Sequence, residues 1–153
     1  MYTGLNHLHS SLRYLLLLAL LVAVINALVK RAQGQEYTLL DDRINLAAFG
    51  LTHLQLLLGL ILYAMNIGMN GPVGQFWADP GVGMANDIYR FYAIEHLVGM
   101  LVAVALITVG RIVGKRSEGP TRHLRTFLFY GFGLALIIAS IPWPFRGLGQ
   151  QWI

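Results

Sequence analysis

Four runs of about twenty apolar residues, over 11–29, 44–65, 88–113 and 124–141, decide what this chain can fold into. Each is long enough to cross a hydrocarbon core about 30 Å thick. Backbone N–H and C=O groups in lipid must be paired within their own segment, so each run reads as a transmembrane helix. Composition agrees, since 56% of the 153 residues are hydrophobic and only 12% charged, against about 25% charged in ordinary soluble domains. The expected fold is all-α: one domain over 1–153, an integral membrane antiparallel four-helix bundle. Its helices are expected over about 9–30, 44–66, 88–113 and 123–141, with short connections giving up-down-up-down order. The first run has no Lys or Arg before Arg13, the wrong pattern for an export signal, so it is read as a helix of the mature protein.

Basic residues orient the bundle. Lys30, Arg31 and Arg43 flank the first connection, and Arg111, Lys115, Arg116, Arg122 and Arg125 flank the third. The second, NIGMNGPVGQFWADPGVGMAND, has none. The positive-inside rule then expects a multi-pass protein of the bacterial inner (cytoplasmic) membrane, with both termini and the second connection outside. Topology also accounts for the pI near 9.7, so no nucleic acid partner is expected. The absence of cysteine excludes disulfides, iron–sulfur clusters and thiolate-bound metal.

Inside the third run, FYAIEHLVGM carries Glu95 and His96 side by side. Ionisable groups in hydrocarbon are expensive and mark functional sites. At about 1.5 Å rise per residue, His53 lies roughly 13–14 Å in from the cytoplasmic surface and His96 roughly 12 Å in from the outer one. The two imidazoles then fall within roughly 4–5 Å of one height. Two imidazoles at one level on separate helices are what a bis-histidine haem requires, which makes His53 and His96 the candidate metal ligands. Gly50 and Gly99 beside them leave room for a flat macrocycle, or let helices pack closely. His9 is the rival axial ligand; Arg13 follows it at i+4 on the same face. The buried histidines also suit hydrogen bonding between helices, or other metal or quinone chemistry. His7 belongs to a weak HxH pair, and His123 is expected to be solvated or at the headgroup level.

Arg13 sits roughly 10 Å below the outer start of its helix, where it needs an anionic partner: Glu95 or a haem propionate. Glu95 is expected to orient a ligand imidazole from a neighbouring helix, move protons, or bond helix one while protonated. Arg146 is a second candidate for a propionate. Tyr63, Tyr89, Tyr92 and Trp77 read as an interfacial aromatic belt, with Trp143 and Trp152 anchoring the tail beyond Pro142.

The stretches HLHSSLRYLLLLAL, THLQLLLGLILY, AIEHLVGMLVAVALITVGR and IPWPFRGLG resemble a group of short bacterial four-span proteins described as cytochrome-b-like, over nearly the whole chain. More faintly, the chain is similar to one half of heme A synthase, whose four-helix units carry haem between helical histidines and place a glutamate near one. His53, His96 and Glu95 are the matching positions. That enzyme has two such units and this chain has one, so its activity does not carry over. The resemblance implies a small b-type cytochrome with haem b that passes single electrons, alone or as a subunit of a respiratory complex. Quinone or a periplasmic or membrane redox protein would be its partner. No nucleophile–base pair, phosphate loop or carboxylate dyad supports a free-standing enzyme. The competing readings are a cofactor-free scaffold or assembly subunit, and a non-haem metal or quinone enzyme built on Glu95 with His9, His53 or His96.

Overall fold

The computed structural model describes residues 1–148. Helices α1 (Tyr2–Ala32) and α2 (Leu39–Gly68) are followed by three short ones, α3 (Pro72–Ala78), α4 (Pro80–Ala85) and α5 (Asp87–Arg90). A π-turn over Phe91–Glu95 joins α5 to α6 (His96–Lys115); α7 (Gly119–Ser140) and a 3₁₀ turn at Pro144–Arg146 complete the described chain. Four helices are long and apolar enough to span a bilayer: α1, α2, the continuous segment Asp87–Lys115, and α7. The protein is an all-α, multi-pass membrane protein.

Three helices, α1, α2 and α7, start earlier than their apolar runs suggest. Helix α1 begins at Tyr2. Helix α2 begins at Leu39 because Thr38 and Asp41 form a capping box, the Asp41 carboxylate accepting the Thr38 N–H at 2.7 Å. The second connection is helical for a similar reason. Asp79 accepts from Gly81 and Val82 N–H to start α4, and Asn86 accepts from Ile88 and Tyr89 N–H to start α5. These pieces form a cap over one end of the bundle; the basic connections occupy the other.

Within the bundle, α1 packs along α2 and α7, and α6 packs along α7. Helices α2 and α6 meet more sparsely, which leaves α1 diagonal to α6. Leu16, Leu20, Ala23, Ala48, Ala103, Ile107, Tyr130, Leu134 and Ile137 form the core, filling mid-bundle and the basic half. Glycines bring α6 and α7 together: a Cβ on Gly133 would lie 2.7 Å from Ile107 Cγ1. Helix α2 has inverted polarity. Its buried face carries Asp41, Asn45, Ala48, Thr52, Gln55 and Leu62, while Leu46, Leu54, Leu57 and Leu60 are exposed. In lipid this is the favourable arrangement, because only the bundle interior offers hydrogen-bond partners.

An ionic network closes the basic end. Asp42 pairs with Arg111 at 3.2 Å and Arg122 at 2.7 Å, and the Arg122 guanidinium lies 3.6 Å from the Tyr37 ring centroid. Asp41 accepts from Lys30 at 2.8 Å and Asn26 at 2.7 Å. His123 is buried here, 5.1 Å from the Tyr37 ring, rather than solvated. Helix α7 begins at Gly119, so His123 falls in phase with the buried Thr126 and Tyr130. Removing the shared carboxylate by Asp42→Ala strands the nearly buried Arg111 beside Arg122. It should cost on the order of 2–3 kcal/mol, less than a fully dry pair because Asp42 is 30% exposed. Thermal unfolding in detergent reads this directly, and an unchanged midpoint would contradict it.

Candidate functional site

The interior of the cap half is hollow. A cavity of about 340 Å³ falls within the ~300–1,000 Å³ range of small-molecule sites. On α1 its lining runs from Tyr2 to Leu16, on α2 from Thr52 to Asn66, and on the third span from Ile88 to Val104. Each stretch covers about 21–24 Å at 1.5 Å per residue, so the cavity is a slot along the bundle axis. Leu56, Leu60, Leu97, Met100, Ile137 and Ile141 supply apolar walls.

His9 and His96 both line this slot, and each stands halfway along its helix's stretch. Gly59 marks the halfway point on α2, and a Cβ there would lie 3.2 Å from His9 Cε1, so the His9 ring rests on that glycine. The two imidazoles therefore share a level on diagonally opposed helices. His96 donates from Nδ1 to the Ser140 carbonyl at 2.7 Å, which fixes the ring and leaves Nε2 as the nitrogen with a lone pair. The His9 carbonyl accepts from Gln55 Nε2 at 2.8 Å. His9 Nδ1 and Gln55 Oε1 are buried with no hydrogen-bond partner among the described residues. Gln55 is 9% exposed, and orphaned polar atoms in so dry a place call for a ligand or water.

His53 stands elsewhere, which corrects the pairing expected with His96. Its neighbour Thr52 faces the slot, and one residue along a helix turns a side chain by about 100°. His53 thus points into the α2–α6 seam, where Nδ1 meets the Phe49 carbonyl at 2.9 Å and Nε2 meets Thr108 Oγ1 at 3.2 Å. Gly50, a turn away, is exposed with open space around it and is no part of the slot. Gly99 is a packing glycine: a Cβ there would collide with Ser140 Oγ and lie 2.9 Å from Ser140 Cβ.

Glu95 is turned away from the slot, its side chain 44% exposed and paired with Arg90 at 2.8 Å. Arg90 also holds Asp87 and the Met84 carbonyl. Neither an Arg13–Glu95 pair nor a contact from Glu95 to a slot imidazole is formed. Arg13 does line the slot; its guanidinium reaches the Tyr14 hydroxyl at 3.2 Å and lies 5.8 Å from the Trp143 ring centroid. Arg146 closes the end of α7, donating to the Ala139 and Ile141 carbonyls at 3.0 and 3.2 Å. His7 is exposed, and the expected anchor Trp152 lies outside the described residues. Among the described residues, no three His, Asp or Glu side chains converge as metal ligands.

Sequence spacing named His9 as the rival ligand but paired His96 with His53, because α1 was expected to begin near His9. With seven residues of helix ahead of it, His9 lies two turns inside. Gly59 and Ser140 were missed, and the signal for Gly59 was available: 45, 48, 52, 55, 59 and 62 repeat at three or four residues. The two glycines expected beside a macrocycle should now behave oppositely. Gly99→Ala overpacks α6 against α7 and should destabilise by about 1–3 kcal/mol, whereas Gly50→Ala on an open helix face should stabilise by up to about 1 kcal/mol. Paired unfolding curves in detergent check both signs. No family model, curated protein or solved structure matches the chain.

Proposed function

We propose that the slot is a haem b site, with His9 and His96 as the axial ligands, and that the protein passes single electrons within a bacterial inner membrane. One observation carries this reading: two imidazoles stand at one level on diagonally opposed helices, halfway along an apolar slot. The residues fit the group. His9 and His96 would hold it, and the Ser140 carbonyl keeps His96 in the tautomer a metal ligand uses. Bound haem would supply the one-electron chemistry. The chain's own residues bind, orient and keep water out: Leu56, Leu60, Leu97 and Met100 dry the walls, and Arg13 puts a fixed positive charge beside the slot for a carboxylate. Clustered Lys and Arg support a cytoplasmic basic end, which sets the cap, the slot's mouth and both termini toward the outside. A redox partner, as a quinone or as another subunit of a respiratory complex, would then approach from the bilayer or the cap.

A second reading has an observation of its own. The buried acceptor Gln55 Oε1 and the buried His9 Nδ1 suit a ligand that exchanges hydrogen bonds, such as a quinol, in place of a metal porphyrin.

Absorption spectra of the full-length protein, purified from haem-replete cells, separate the two. The haem reading expects a bis-imidazole difference spectrum that His9→Ala and His96→Ala each abolish and His53→Ala retains. Colourless wild-type protein, or loss in His53→Ala with retention in His9→Ala, would refute it. Iron-free protein carrying an extractable quinone would establish the second reading.

A further inference from the structure

The helix that carries His96 is irregular at the residue where it matters. The His96 N–H donates to the Phe91 carbonyl, five residues back, instead of the usual four. A π-turn of this kind takes up one extra residue and is found mostly at functional sites. Its consequence here is angular. Tyr92 and His96 both face the slot while Glu95, which a regular turn would bring closer to the slot, is rotated to the surface. Two contacts hold the widened turn. On the outside, Arg90 ties Glu95 to Asp87 across it. On the inside, the Tyr63 hydroxyl from α2 donates to the Ala93 carbonyl at 3.1 Å. The Trp77 indole N–H of α3 donates to that same hydroxyl oxygen at 2.8 Å, which leaves the Tyr63 proton directed at the turn.

We infer that Tyr63 is a positioning residue for His96: through the Ala93 carbonyl it holds the π-turn that presents the imidazole, and not the neighbouring carboxylate, to the slot. Trp77 extends this hold to the cap, so cap and imidazole are joined by two hydrogen bonds and three residues of backbone. The haem role of His96 belongs to the function proposed above, and the inference rests on that reading only for its spectroscopic half.

Tyr63→Phe removes the hydroxyl and keeps the ring; Tyr89→Phe, in the same aromatic cluster and with no bond from its hydroxyl to the turn, is the control. In the ¹⁵N-labelled, haem-free full chain in detergent, the His96 amide should exchange about fivefold faster in Tyr63→Phe, the equivalent of one hydrogen bond's ~1 kcal/mol. In the control it should not change. In haem-loaded protein, the low-spin electron paramagnetic resonance signal of Tyr63→Phe should shift or split, reporting a changed imidazole orientation. An unchanged His96 amide rate, or an equal effect in the control, overturns the positioning role. Wild-type protein that takes up no haem overturns the cofactor reading instead, and the amide rates still decide whether Tyr63 holds the turn. A signal identical to wild type, alongside a faster amide, overturns the claim that the turn orients the ligand.

Discussion

A polar atom in hydrocarbon has only the protein to bond with, and this constraint shapes the bundle more than apolar packing does. It explains why α2 buries Asp41, Asn45, Thr52 and Gln55 while Leu46, Leu54 and Leu57 face outward. It also explains the company each polar group keeps: Asp42 between two guanidiniums, Thr52 on the Ala48 carbonyl, Tyr130 on the Asn45 carbonyl. Exceptions remain among the described residues: Asn45 Oδ1 and both His123 ring nitrogens at the basic end are buried without a hydrogen-bond partner, as are atoms in the cap half. Two of them, His9 Nδ1 and Gln55 Oε1, belong to residues that line the same slot.

Reading the chain alone recovered the four spans, because unbroken apolar runs of membrane length have few other uses. It singled out ionisable residues inside the spans for the same energetic reason. Facing was harder to read. Depth along an axis follows from counting residues, but which way a side chain points depends on helical phase, and an error of one residue turns it by about 100°. His53 illustrates this, since its depth is suitable while its neighbour Thr52 owns the inward face. His9 illustrates the complementary failure. Its helix continues into a polar N-terminal stretch that hydropathy does not flag, so a residue two turns inside the helix was placed at its outer end and ranked only as the rival ligand. Glu95 was misread because a π-turn breaks the phase within five residues, and no residue type announces one.

The two ends of the bundle do different work. At the basic end, charges and side-chain hydrogen bonds lock all four helices, and the core packs below and through the middle. At the cap end the helices are held from outside the bundle's axis. Asn66 accepts from Val73 N–H, Trp77 and Tyr63 link α3 to the π-turn, and Tyr92 donates to the Leu148 carbonyl. Such peripheral fastening leaves the centre free for something other than side chains.

That hollow centre sets a gradient of local stability along the molecule. Leucines and isoleucines lining a slot forgo dispersion contacts that such residues make in the filled half. Opening fluctuations should therefore begin among the cap helices and die out toward Tyr130 and Asp42. Whatever seats itself in the slot replaces those missing contacts, and so acts as a removable piece of core. A molecule bound there would link folding to occupancy by mass action and stabilise the folded chain.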